Sequence, residues 1–100
     1  MKLIENLFVA GNVTDLETVV YSLRRDIPVL GLTCIVLFED RNRLEILSGR
    51  DLFHERYKDR PAVIAGIAMG RREAYDLLAY MAEDAVRNGR DVTDPAELIR

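Results

Sequence analysis

The spacing of apolar residues along the chain predicts four β-strands. Residues 33–38 and 62–69 are apolar at nearly every position, which is typical of strands covered on both faces. Residues 3–10 are expected to form the first strand, with residues 7–10 as its apolar end. Residues 44–47 begin with alternating apolar and polar positions, and they follow the polar turn at residues 40–43. This pattern predicts a short edge strand in a hairpin.

Two longer segments show helical spacing instead. Thr14 and Glu17 form a capping-box pattern that predicts a helix start at Thr14, and Pro28 predicts its end. The stripe expected to face the core is Leu16, Val19, Val20, Leu23 and Ile27. The second helix is expected at residues 71–88, between Gly70 and Gly89, because glycine is common where helices end.

This second helix carries two apolar stripes. One, the expected core stripe, consists of Ala74, Leu77, Leu78, Met81 and Ala85; the other consists of Tyr75, Ala79, Ala82 and Val86. A helix with so wide an apolar arc usually packs on two sides. We expect the second stripe to contact another copy of the chain, since two-fold homodimers are the commonest oligomers. The alternative is that Val92, Leu98 and Ile99 of the tail fold back onto it.

One shorter helix completes the predicted order, and the tail adds a further helix-start signal. Residues 51–58 could place Leu52, Phe53 and Tyr57 inward, and Asp94 followed by Pro95 is a helix-start signal in the tail. Gly66 lies in an apolar strand, where the missing side chain allows a helix or another backbone to come close.

The predicted fold is a single α/β domain over residues 1–100, with residues 90–100 as a short C-terminal tail. The order is β-α-β-β-α-β-α, in a mixed four-stranded sheet covered by helices on both faces. We expect the second and fourth strands inside, the third at an edge, and the first, second and fourth parallel. The linker after Ser48 would then only pass along the end of the sheet. The alternative is a ferredoxin-like fold with an added C-terminal helix.

Composition narrows the functional classes. The chain is 49% hydrophobic and 31% charged with a net charge of −3, which fits a globular protein and argues against a nucleic-acid surface. One cysteine, Cys34, and one histidine, His54, argue against an internal disulfide and a structural zinc site. Cys34 lies in an apolar run and is interpreted as a buried core residue. No stretch is long enough to span a membrane, no cofactor motif is present, and a reducing cytoplasm is the expected location.

The two strand–glycine–helix junctions are the candidate ligand site. Helix N-termini favour anions, and parallel strands would bring the two junctions to one edge of the sheet. The candidate phosphate- or carboxylate-binding residues are Gly11, Asn12, Thr14, Gly70, Arg71 and Arg72. Neither junction has a dinucleotide-binding or P-loop pattern.

His54 and Asp51 form a third, weaker candidate. A histidine three residues from an aspartate can serve acid–base chemistry, although such pairs are also common on exposed helices. The sequence therefore favours a small binding or regulatory module that self-associates, with an anion-binding protein as the alternative and an enzyme using His54 and Asp51 third.

Overall fold

The computed structural model describes residues 1–99 and shows a mixed four-stranded sheet with two α-helices. The strands are β1 (Lys2–Val9), β2 (Leu32–Phe38), β3 (Arg43–Ser48) and β4 (Ala62–Met69). The helices are α1 (Leu16–Arg24) and α2 (Arg71–Arg87). The Cα radius of gyration is 12.7 Å, the value expected for a compact chain of this length.

The strand order is β1-β4-β2-β3, so the two strands that are apolar throughout lie inside the sheet. All seven residues of β2 and the first seven of β4 are buried. β3 pairs antiparallel with β2 at one edge. These features confirm the predicted interior and edge positions. The first and third strands lie at the edges, whereas the ferredoxin-like alternative needs them at the centre.

The predicted direction of β2 is wrong. β1 and β4 are parallel, but β2 runs antiparallel to β4, with Leu32 opposite Met69 and Phe38 opposite Ala62. The chain leaves β3 opposite the start of β2 and enters β4 opposite its end. Residues 49–61 therefore travel the length of the sheet instead of passing along one end of it.

The predicted helix at residues 51–58 is also wrong. It consists of two 3₁₀ turns, Asp51–Phe53 and Glu55–Tyr57. His54 between them has extended backbone angles, so an α-helix cannot continue through it. The tail likewise forms a 3₁₀ turn, Pro95–Ile99, and Arg100 at the end of the predicted tail lies outside the described residues.

The capping residue of α1 lies one position later than predicted, at Asp15 and not at Thr14, and the helix begins at Leu16. The Asp15 carboxylate accepts a hydrogen bond from the Thr18 N–H at 3.2 Å. The helix ends at Arg24, so Ile27 lies beyond it and is exposed.

The core divides into two clusters that share the central strands. Residues of β2 alternate between them, with Cys34 in the first and Ile35 in the second. α1 contributes Leu23 to the first cluster, and α2 contributes Leu77 and Met81 to the second. The second cluster is rich in alanine, which leaves room for α2 to lie close to the strands.

Candidate functional site

The core-facing side of α2 is packed against the sheet. Ala74, Leu77, Met81 and Ala85 are all buried, and we call these four residues the inner stripe. Gly66 of β4 makes the contact close: a Cβ atom built there would lie 3.1 Å from Cδ2 of Leu77 and 3.3 Å from Cδ1 of Ile35. The expected close approach at Gly66 is therefore present.

The second set of apolar residues on α2 lies on one flank of the helix. We call Tyr75, Ala79, Ala82 and Val86 the outer stripe. Tyr75 is 54% exposed and Val86 63% exposed, Ala79 is exposed, and Ala82 is half-buried. Their successive spacings of four, three and four residues keep them on one side of an α-helix.

The tail covers part of α2 but leaves this stripe accessible. Leu98 is buried and Ile99 packs in the α2 cluster. The tail is tied to the β2–β3 turn by Asn42, whose side chain donates to Asp94 at 2.7 Å and accepts from the Ala96 N–H at 3.0 Å. Tail packing and an exposed outer stripe are therefore compatible.

Val92 behaves differently from Leu98 and Ile99. It is 42% exposed and, together with the C-terminal half of α2, borders a shallow groove of about 430 Å³. The lining residues are Ala82, Glu83, Val86, Arg87 and Val92. Val92 was named only in the alternative in which the tail folds back onto the second stripe. No sequence pattern indicated this groove, because helical spacing cannot place a residue that follows the helix.

Tyr80 lies on the opposite flank of α2. Its ring meets that of Phe8 edge to face, with centroids 6.4 Å apart, an arrangement that aromatic pairs favour. Tyr80 therefore belongs to the side of the helix that faces β1 and lies apart from the outer stripe.

The two glycine junctions meet at one edge of the sheet, because β1 and β4 are parallel neighbours. Asn12 joins them directly: its side-chain nitrogen donates to the Met69 carbonyl at 2.7 Å, and its side-chain oxygen accepts from the Met69 N–H at 3.0 Å. Asn12 was predicted as a ligand-binding residue, and the structure shows a backbone contact that sequence spacing could not reveal.

Both positively and negatively charged side chains lie near these junctions. No side chain caps the start of α2 at Gly70, and Arg71 and Arg72 are exposed there. Thr14 is exposed, and Asp15 already occupies the start of α1. A groove of about 370 Å³ beside Gly11 is lined by the carboxylates of Glu73 and Asp76 and not by the two arginines. These carboxylates weaken the attraction of that groove for anions.

His54 and Asp51 are joined through the backbone, and the structure shows no hydrogen bond between their side chains. The His54 N–H donates to the Asp51 carbonyl, while Nδ1 of His54 accepts from the Arg56 N–H at 3.1 Å. In a catalytic Asp–His pair, Nδ1–H donates to the carboxylate, so this arrangement is the reverse. His54 lines a cavity of about 580 Å³ with Glu39, Tyr57 and Lys58, whereas Asp51 is not part of that lining.

Cys34 is fully buried in β2, as predicted. Loss of water around it raises the pKa of the thiol to about 12. Because the thiolate is the reactive form of cysteine, Cys34 does not supply a nucleophile near neutral pH.

Within residues 1–99, no three His, Cys, Asp or Glu side chains come together as a metal site. In the same part of the chain, neither α-helix has the length and apolarity needed to cross a membrane. No protein-family model, curated protein or solved structure gave a significant match to the chain.

Proposed function

We propose that this protein is a small binding module that self-associates as a homodimer through the outer stripe of α2. The observation that supports this proposal is the exposure of Tyr75 and Val86 after the tail has folded back onto the helix. Apolar residues grouped on one flank, with charged residues around them, mark interaction sites more often than singly scattered ones do.

The composition of the stripe suits contact with another helix. Ala79 and Ala82 at its centre are small, so a second helix can approach without displacing large side chains. Tyr75 and Val86 at its ends supply the apolar area, and fully burying one such side chain contributes about 1.5–3 kcal/mol. Since both are already partly covered, we expect a weak dimer that forms in the micromolar range or above.

A matched pair of tyrosine variants tests the proposal. Tyr75→Glu places a charge in the outer stripe, whereas Tyr21→Glu places the same charge on α1 at a residue that is also 54% exposed. We expect light scattering to show the mass of the native chain rising with concentration from 11.4 kDa towards twice that value. Tyr21→Glu should behave in the same way, and Tyr75→Glu should stay at the monomer mass.

Two results would contradict the proposal. One is a native chain that remains monomeric at high micromolar concentration. The other is a dimer that Tyr75→Glu and Tyr21→Glu weaken equally, because the outer stripe would then have no special part in association.

A second candidate function is the binding of a small anion at the glycine junctions. Its support is the Asn12–Met69 contact, which brings the uncapped start of α2 beside the end of β1. Inorganic phosphate should then raise the melting temperature, since a ligand that binds only the folded state stabilises it. The double substitution Arg71→Ala and Arg72→Ala should abolish the shift. No shift with millimolar phosphate in the native chain would count against this function.

A further inference from the structure

The geometry points to one specific dimer: two antiparallel α2 helices, with Tyr75 of each copy seated in the groove between Val86 and Val92 of the other. The two-fold axis would cross α2 midway between Tyr80 and Met81. This inference rests on the proposed self-association and goes further, because it fixes the orientation and register of the partner.

The spacing of the outer stripe is self-complementary about that point. Tyr75 and Val86 lie at equal distances on either side of it, about 8 Å away at a rise of 1.5 Å per residue. Ala79 and Ala82 also lie at equal distances, about 2 Å away. One axis therefore sets Tyr75 against Val86 of the second copy and Ala79 against Ala82 of the second copy, as an isologous interface requires.

The groove beside Val86 suits a tyrosine side chain. Ala82, Val86 and Val92 supply apolar contacts, and the groove is shallow and open, so an aromatic ring can lie along it. Glu83 and Arg87 also line it and can hydrogen-bond a phenolic hydroxyl, which a buried tyrosine usually needs. Tyr75 is the large exposed residue at the other end of the same stripe.

Charge favours the antiparallel orientation. Arg71 and Arg72 are exposed at the N-terminal end of α2, where the helix dipole is positive. In an antiparallel pair they approach the C-terminal end of the second copy's helix, where the carbonyl groups carry negative partial charge and Arg87 lies beside the carboxylates of Glu83 and Asp84. A parallel pair would instead bring the arginines of both copies and both positive helix ends together.

The size of the chain sets the area that such a dimer would need to bury. A stable interface takes about a tenth of the surface of a small protein, which is about 630 Å² of the 6281 Å² here. A helix of 17 residues is about 26 Å long. A contact along one flank of this helix and Val92 would therefore have to bury about 630 Å² in each copy to match a specific interface of standard size.

Complementary charges test the register. The proposed dimer has two equivalent Tyr75–Val86 contacts, so a homodimer of Tyr75→Glu or of Val86→Lys has both of them altered. We expect each variant alone to dimerise at least about tenfold more weakly than the native chain. When the two variants are mixed, the introduced glutamate of one copy should face the introduced lysine of the other, while the second contact stays native. Native mass spectrometry should show a heterodimer that forms within about threefold of the native affinity.

Disulfide trapping tests the same pairing of Tyr75 with Val86 by a second method. A mixture of Tyr75→Cys and Val86→Cys should cross-link under a mild added oxidant, since a disulfide needs Cα atoms within about 7 Å. Neither variant alone should do so, because identical positions lie about 16 Å apart along the axis. Cys34 is fully buried and does not compete.

The outcomes separate this inference from the function on which it rests. Suppose that Tyr75→Glu weakens the dimer, but that mixing it with Val86→Lys does not restore association and the two cysteine variants do not cross-link. That result overturns the antiparallel register and leaves self-association standing. Cross-linking of Tyr75→Cys with itself would overturn the register in favour of a different axis. A native chain that never dimerises overturns both.

Discussion

The inner and outer stripes of α2 have the same helical spacing but opposite surroundings. The inner stripe is buried against β4 and the strands beside it. The outer stripe keeps Tyr75 and Val86 more than half exposed. The difference shows that apolar periodicity indicates how much of a helix surface is apolar. The rest of the fold determines which part of that surface is buried within the chain.

The two stripes should therefore fail in different ways. Changes to the inner stripe remove packing from the monomer and should lower its stability. Changes to the outer stripe should leave the monomer intact and affect association. This contrast can be tested one residue at a time.

The largest expected effect on stability comes from truncating the inner stripe. Met81 is fully buried, so Met81→Ala should lower the free energy of unfolding by about 2–5 kcal/mol, through lost burial and the cavity left behind. Val86→Ala on the outer stripe should change the free energy of unfolding of the monomer by at most about 0.5 kcal/mol. Urea unfolding at low protein concentration measures both values. Equal losses for the two variants would remove the distinction between the stripes.

A smaller effect is expected where the inner stripe meets the sheet. Gly66→Ala adds a methyl group 3.1 Å from Leu77 and 3.3 Å from Ile35, so the neighbours must shift. Overpacking of this kind costs about 1–3 kcal/mol. Gly11→Ala is a suitable control, since a Cβ there meets nothing within 4 Å. If Gly66→Ala were as stable as the control, α2 would not lie as close to β4 as described.

The smallest of these effects depends on pH and tests burial inside the sheet. The pKa of the Cys34 thiol is raised from 9.0 to about 12 by burial. The thiol of the folded chain therefore keeps its proton at pH values where the unfolded chain loses it. The protonated thiol's contribution to the free energy of unfolding is complete below pH 9 and is lost as the pH rises towards 12. Between about pH 8 and about pH 10, the native chain should lose about 1 kcal/mol more stability than Cys34→Ala.

Urea unfolding at the two pH values gives this difference. An exposed thiol introduced by Val86→Cys in the Cys34→Ala chain should add no such pH-dependent loss, because its pKa would be alike in the folded and unfolded chain. An equal loss in the native chain and Cys34→Ala would mean that Cys34 is not shielded from water.

The sequence predicted the positions of the strands and of α2 closely, because burial leaves a local pattern. β4 was expected at residues 62–69 and is found at Ala62–Met69, and both strands that are apolar throughout lie inside the sheet. The direction of β2 could not be predicted in the same way. A strand covered on both faces has the same pattern in either direction, and residues 49–61 are long enough to run along the sheet or across its end.

The candidate sites were predicted as residue sets and not as geometry. The outer stripe follows from helical spacing alone, and the structure places all four of its residues on one flank. Asn12 shows the opposite case. A polar side chain after a strand can bind a ligand or hold a neighbouring strand, and only its contact with Met69 shows that its amide is already engaged.

The most direct test of self-association is the molar mass of the native chain measured over a range of concentrations. Sedimentation equilibrium from low micromolar to millimolar protein should give a mass that rises from 11.4 kDa towards about 22.8 kDa, twice the monomer. The Tyr75→Glu variant should need at least about tenfold more protein than the native chain to reach the same mass. A native chain that stays at 11.4 kDa throughout would contradict the proposal that the outer stripe of α2 binds a second copy.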